Sequence, residues 1–206
     1  MKKILLLFVF IYFTTSSFAQ ISRLLNFNTG GMVNVQWDIS KPISEMTDFV
    51  NGTSTTGFNI DYRHCYQNNI IIGGRTGWNH FYENRVIVIK ENDDNTISIE
   101  HVKNTVNAIP ILFVADYMIP SDKFIPYAGI GIGGYFMGSN VSKDNITTES
   151  NNSFHFGVSP EIGITIPSIL SNFGFNMSTR YNHAFGTKKA SSYSWFNFSI
   201  GFSFMY

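Results

Sequence analysis

Phe196-Asn197-Phe198-Ser199-Ile200-Gly201-Phe202-Ser203-Phe204-Met205-Tyr206 decides the fold. Every even position is large and apolar or aromatic, and four of the five odd positions between them are small or polar. A period of two marks a strand with two unlike faces. A face this rich in phenylalanine matches lipid, and its opposite matches a polar lumen.

The alternation recurs upstream. Candidate strands cover residues 27–39, 56–64, 70–81, 99–117, 125–137, 153–166, 173–185 and 194–206. In the second, Phe58, Ile60 and Tyr62 oppose Asn59, Asp61 and Arg63. In the sixth, Phe154, Phe156, Val158 and Ile162 oppose His155, Gly157, Ser159 and Glu161. In the fourth, residues 109–115 are apolar on both faces, so the pattern leaves their sides unassigned. The connections alternate in length. Residues 65–69, 118–124 and 167–172 are short; 40–55, 82–98 and 138–152 are long and polar; 186–193 is intermediate. Short turns at one rim and long loops at the other are the outer-membrane pattern, with the short turns periplasmic. The fold expected is all-β, an eight-stranded antiparallel up-and-down transmembrane β-barrel. Closure follows from hydrocarbon solvation, because an open sheet edge would leave backbone groups unpaired in lipid.

The first residues read as an export signal. Lys2 and Lys3 precede ten apolar residues, 4–13, and Ser17-Phe18-Ala19 offers a small-x-small cleavage site. Ten residues fall short of the about 20 that a membrane-spanning helix needs. The expected division is a signal peptide at 1–19 and a barrel domain at 20–206. The mature chain would hold 12 basic and 14 acidic residues, a net charge of −2. No basic patch argues for nucleic acid. Charged residues make up 14% and aromatics 16%, against about 25% charged in an average soluble domain. The single cysteine, Cys65, has no partner for an internal disulfide.

The signal peptide, the eight alternating strands, the glycine-rich run Pro126-Tyr127-Ala128-Gly129-Ile130-Gly131-Ile132-Gly133-Gly134-Tyr135 and the aromatic end together resemble the small outer-membrane β-barrel domain family. That family includes OmpA/OmpX-type eight-stranded barrels and the "porin family" barrels. The resemblance implies residence in the outer membrane of a Gram-negative-type bacterium, insertion by the barrel-assembly machinery, and outer-membrane lipid as the surrounding partner. It implies that Phe202, Phe204 and Tyr206 form a C-terminal assembly signal. It carries over no catalytic residue.

An eight-stranded lumen is narrow enough for side chains to fill. The inward-facing candidates are Asp61, Arg63, Arg75, His155, Glu161 and Arg180, with Asp61 and Glu161 expected to bridge the arginines, since an unpaired buried charge costs several kcal/mol. Gly129, Gly131 and Gly133 share one face and are expected to leave room for bulky Arg and Tyr side chains. Trp37, Trp78 and Tyr181 are expected in the interfacial aromatic belts, with Trp195 also toward a strand end. His155, Ser159 and Glu161 do not make a triad, because His155 and Ser159 lie about 13 Å apart along one strand. The glycine run lacks the following helix and acidic residue of a dinucleotide loop. Glu91, Asp93 and Asp94 lack the glycine and the offset glutamate of a calcium loop. No metal and no cofactor is expected. The reading is a monomeric, non-enzymatic outer-membrane barrel with an envelope-structural role, or a surface-interaction role through long extracellular loops toward a ligand the sequence leaves unnamed. A narrow channel for ions or small solutes and a lipid-modifying outer-membrane enzyme are the alternatives.

Overall fold

The computed structural model describes residues 30–67, 69–90, 97–119, 121, 124–143, 146–168, 172–188 and 190–206. The export signal, the start of the first expected strand and the acidic group Glu91, Asp93 and Asp94 lie outside these residues. The described strands are β1 (Gly31–Ile43), β2 (Gly57–Gln67), β3 (Ile70–Lys90), β4 (Ile97–Met118), β5 (Ile125–Lys143), β6 (Ile146–Pro167), β7 (Phe173–Ala184) and β8 (Tyr193–Met205). One turn of helix, α1 (Met46–Phe49), stands between β1 and β2.

Each strand pairs antiparallel with the next, and β1 closes on β8 from Met32↔Met205 to Ile43↔Ser194. The chain is an eight-stranded antiparallel up-and-down transmembrane β-barrel. The alternation in β8 puts Phe196, Phe198, Phe202 and Phe204 outside and Asn197, Ser199 and Ser203 inside. The outer wall continues through Val35, Ile60, Ile111, Phe113, Ile132, Phe156 and Ile162, all exposed.

β4 resolves the ambiguity of its second half. Ala108, Leu112, Val114 and Asp116 face inward; Ile109, Ile111, Phe113 and Tyr117 face outward. Its Pro110 cannot donate to a ladder, and the β3–β4 register is interrupted there, between Thr76↔Ile111 and Asn79↔Ala108.

The loops expected at 82–98 and 138–152 are a correction. β3 and β4 stay paired out to Lys90↔Ile97, and β5 and β6 out to Lys143↔Ile146. β4 and β5 also remain joined to Val102↔Lys143. β2 stops pairing at Gly57↔Asn79, and β7 at Gly157↔Ala184. Four strands therefore rise past the rim as one sheet; beyond Asn79, β3 runs on for about 35 Å at roughly 3.3 Å per residue. The β5–β6 segments, 138–143 and 146–153, are mostly polar and lack the apolar face that flags a strand, but backbone pairing requires none.

Candidate functional site

The lumen is built in three layers. At the short-turn end Met32, Ile71, Met118, Ile125, Tyr127 and Met205 form a buried apolar cluster. Charged and amide side chains fill the middle. At the long-connection end a second apolar cluster gathers Phe81, Val106, Tyr135, Met137, Ala184 and Trp195 around Met46 and Val50. Those last two come from the β1–β2 connection, which folds back into the mouth as a plug.

The middle layer divides into two networks. In the first, Asp61 Oδ1 accepts from Arg75 Nε (2.7 Å) and Asp61 Oδ2 from Arg63 Nη2 (3.1 Å). Glu161 Oε2 accepts from Arg63 Nη2 at 3.1 Å and from Arg75 Nη2. Tyr127 donates to Glu161 Oε1 (3.0 Å), and the Arg63 guanidinium lies 4.6 Å above the Tyr127 ring. Thus β2, β3, β5 and β6 meet at one knot. In the second network Asp38 is the hub. Its Oδ1 accepts from Arg180 Nη2 (2.7 Å), Asn59 Nδ2 (2.7 Å) and Ser199 Oγ (2.5 Å), and its Oδ2 from Asn79 Nδ2 (3.1 Å) and Asn197 Nδ2 (3.0 Å). Trp195 Nε1 donates to Asn79 Oδ1 (3.1 Å) and ties this hub to the plug.

Of the six lumenal residues expected from sequence, Asp61, Arg63, Arg75 and Glu161 come together. Arg180 pairs with Asp38 and not with Asp61 or Glu161. His155 is buried but stands apart from the charges: its Nε2 meets Ser153 Oγ (2.7 Å) and its Nδ1 meets the Phe185 carbonyl (2.8 Å). Ser159 donates to Asn182 Oδ1 (3.0 Å). Two carboxylates were missed. Asp38 sat in plain alternation with Asn34 and Gln36. Asp116 directly follows the stretch 109–115 whose sides could not be assigned; it lies 3.3 Å from Arg63 Nε, and neither of its oxygens has a hydrogen-bond partner among the described residues. Trp195, placed with the strand-end aromatics, is fully buried in the plug, edge-on to Phe81 (5.9 Å) and Tyr135 (5.4 Å).

The glycines also need correction. A Cβ on Gly129 would strike Asp116, and one on Gly131 would meet Leu112 and Ser159. The tyrosine rings instead lie over Gly157 (Tyr135) and Gly163 (Tyr127) on the neighbouring strand.

The plug is strapped at its surface. Asn51 N–H donates to Glu83 Oε2 (2.5 Å), Arg85 Nε to Glu83 Oε1 (2.8 Å), and Arg85 Nη2 to the Asp48 carbonyl (3.1 Å). The Arg85 guanidinium, with the Asn51 amide, holds the Glu83 carboxyl below its usual range. On the far side Ser192 donates to Glu45 Oε2 through N–H (3.2 Å) and Oγ (2.8 Å). A recess of about 490 Å³ remains above α1, between it, the β5–β6 ribbon and the β7–β8 connection.

On the outer wall Trp37 is half exposed and donates to the Thr55 carbonyl (2.7 Å); Trp78 donates to Asn107 Oδ1 (3.1 Å); Tyr181 stacks on His183. All three stand toward the long-connection rim. Tyr62, Tyr66, Tyr117 and Tyr206 line the opposite rim, where Tyr206 OH donates to Tyr62 OH (2.9 Å). Phe202 and Phe204 point outward beside Phe175 and Phe173.

No family model matches the chain, and no curated protein does. Solved structures do. Neisserial surface protein A is similar over 84% of this chain and 96% of its own, at 12% identity and a TM-score of 0.52. Ail, the attachment invasion locus protein of Yersinia pestis, solved with the heparin analogue sucrose octasulfate, covers 87% of this chain and 99% of its own, at 13% identity and 0.48. The N-terminal β-barrel domain of Pseudomonas aeruginosa OprF covers 85% and 97%, at 10% identity and 0.46. At these identities the likeness is one of fold.

Proposed function

From the small outer-membrane β-barrel fold, of the OmpA/OmpX type, we propose that this protein is a monomeric, non-enzymatic integral barrel of the outer membrane that serves surface contact. The observation that carries this is the division of labour between lumen and rim. The lumen is sealed by apolar side chains at both ends and by ion pairs between them. The extracellular side carries a four-stranded sheet and a recess far larger than barrel closure needs. A scaffold that only stiffened the envelope would have no use for strands of 21 and 22 residues beside partners of 11 and 12. Binding residues concentrate on such projecting elements when a rigid scaffold holds them. The plug argues against the channel reading, because any path would have to expel Met46 and Val50 and then break the Asp38 hub. The enzyme reading loses its best candidates, since His155 and Ser159 are each engaged elsewhere.

The test pairs two strains. One lacks the gene; the other has residues 83–103 and 139–152 each replaced by a short turn. Both should lose whole-cell adherence to immobilised matrix equally, while the shortened barrel keeps heat-modifiable gel mobility in the outer-membrane fraction. Purified protein should give no steps in a planar bilayer. Persistent conductance steps, or adherence that survives ribbon removal, would overturn the proposal.

A further inference from the structure

The outer wall changes character along a single row. On β4 the outward residues run Lys103, Thr105, Asn107 and then Ile109, Ile111, Phe113. The cross-strand register aligns Asn107↔Gly138↔Asn152 and, one step toward the membrane, Ile109↔Phe136↔Phe154. Three neighbouring strands thus pass from amide and glycine to large apolar side chains at the same height. Wall residues meet hydrocarbon below such a row and headgroups above it.

A groove of about 380 Å³ opens on this row. Its cause is local. A Cβ on Gly134 would run into the Phe154 ring, so that ring lies over Gly134 and packs edge-on against Phe136, centroids 5.1 Å apart. The space above, over Gly138, is left unfilled. Asn107 Oδ1 is already occupied by Trp78 Nε1 and by His80 Nδ1 at 2.8 Å, so its amide NH₂ is the group it offers. The volume falls in the range of small-molecule sites, roughly 300–1,000 Å³.

We propose that this groove seats one acyl chain of lipid A, the acylated phosphoglycolipid of the outer leaflet. Ile109, Phe136 and Phe154 hold the first methylenes of the chain. The amides of Asn107 and Asn152 meet its ester or amide linkage. Lys103, exposed about 13 Å further along the same face at roughly 3.3 Å per residue, is in reach of the sugar phosphate. Three observations select this occupant: the groove is continuous with the membrane-facing wall, it lies at the height where a chain joins its headgroup, and Lys103 stands above it on the same face. The rim is the one with the long connections, which faces the outer leaflet. The inference rests on the membrane reading above.

Gly138→Leu fills the groove. The new Cβ meets only Asn152 Oδ1, at 3.1 Å, the end of a flexible side chain, so the strand can accept it. Protein extracted in mild detergent is weighed by native mass spectrometry, and refolded protein is compared in phosphatidylethanolamine vesicles with and without lipid A. The wild type should retain one lipid A, and Gly138→Leu should lower retention by roughly tenfold. Lys103→Glu should lower it too while leaving gel mobility unchanged, and it carries the test alone should the leucine variant not fold. Equal retention by wild type and variants, retention of phospholipid alone, or no retained lipid would overturn the inference. Failure of the membrane reading would appear earlier, as absence from the outer-membrane fraction.

Discussion

Asp38→Ala should be among the most damaging single changes in the lumen. The carboxylate is 1% exposed, as is Arg180, and it accepts five hydrogen bonds from β2, β3, β7 and β8. Removing one partner of a buried pair costs about 3–5 kcal/mol, because the other charge stays uncompensated. Each amide left without an acceptor adds part of roughly 1–3 kcal/mol. Arg180 also donates to Ser199 Oγ (2.5 Å), so these terms overlap; a total of about 4 kcal/mol or more is expected. The matched control is Asp116→Asn. Asp116 is equally buried but has only a 3.3 Å approach to Arg63 Nε, and Arg63 keeps Asp61 and Glu161. Among the described residues four lumenal carboxylates (Asp38, Asp61, Asp116 and Glu161) face three guanidiniums (Arg63, Arg75 and Arg180), and Asp116 is the one of the four without a hydrogen bond there. Neutralising it gives up one 3.3 Å attraction to Arg63 but also removes the desolvation of a buried charge, so stability should change by about 1 kcal/mol or less. Urea titration of the barrel refolded in vesicles reads both, with Trp195, bonded to Asn79 beside the hub, as the fluorescent reporter. Equal costs for the two variants, or a cost under about 1 kcal/mol for Asp38→Ala, would refute the assignment of Asp38 as hub.

Replacing residues 44–53 with a glycine-serine linker removes Met46 and Val50, so in a Trp37→Phe, Trp78→Phe background Trp195 fluorescence should become quenchable by iodide; continued protection would mean that the plug does not seal the mouth. The Glu83 carboxyl is held low by Arg85 and the Asn51 amide. Its folded value lies below its unfolded one, so the strap is complete above the ordinary carboxylate range and lost as pH falls through the depressed value. Amide exchange at Asn51 should therefore accelerate in acid, and Glu83→Gln should abolish that acid step; an unchanged step would exclude Glu83 as its source. Gly157→Ala forces a Cβ against the His183 carbonyl and to 2.7 Å from Tyr135 Cε2. Urea titration should register a cost of about 1–3 kcal/mol, and a neutral result would show that the Tyr135 ring is free to move.

Most of the barrel was legible because lipid and lumen impose opposite solvents on alternate residues. Phe196 to Phe204 needed no tertiary information. Legibility failed where that contrast fails. Residues 109–115 read as two-sided because Leu112 and Val114 belong to the buried apolar cluster that Met46 and Val50 complete, and Asp116 directly follows this unassigned run. The β5–β6 ribbon read as a loop because its residues, 138–143 and 146–153, are mostly polar and carry no apolar face. Met46 and Val50 carried no signal at all: a four-residue helix has no period, and only the folded mouth gives their burial a reason. Arg180 was placed on the correct face, but its partner depended on the register between strands, which periodicity leaves open.

The dependence of the Arg180 partner on strand register bears on why the centre is charged. A one-residue slip between two strands turns every side chain to the wrong face, so the greasy exterior forbids it. A two-residue slip restores both faces, and Phe on the outside cannot tell the difference. The lumen can. A slip of β1 along β8 by two residues would carry Asp38 from Ser199 to Asn197 or Gly201 and move it about 7 Å from Arg180. Buried ion pairs are weak sources of stability, and apolar replacements of similar volume often match them; what they supply here is a register that only one pairing satisfies. The double variant Asp38→Leu with Arg180→Met should accordingly regain the share of the Asp38→Ala loss that comes from leaving Arg180 uncompensated, but not the share from Asn59, Asn79, Asn197 and Ser199, which still lack their acceptor. Its β1 and β8 amides should appear as more than one set of NMR resonances. A single sharp set would show that register is fixed elsewhere, by the β7–β8 and β1–β2 connections, and that the charges serve only to fill space.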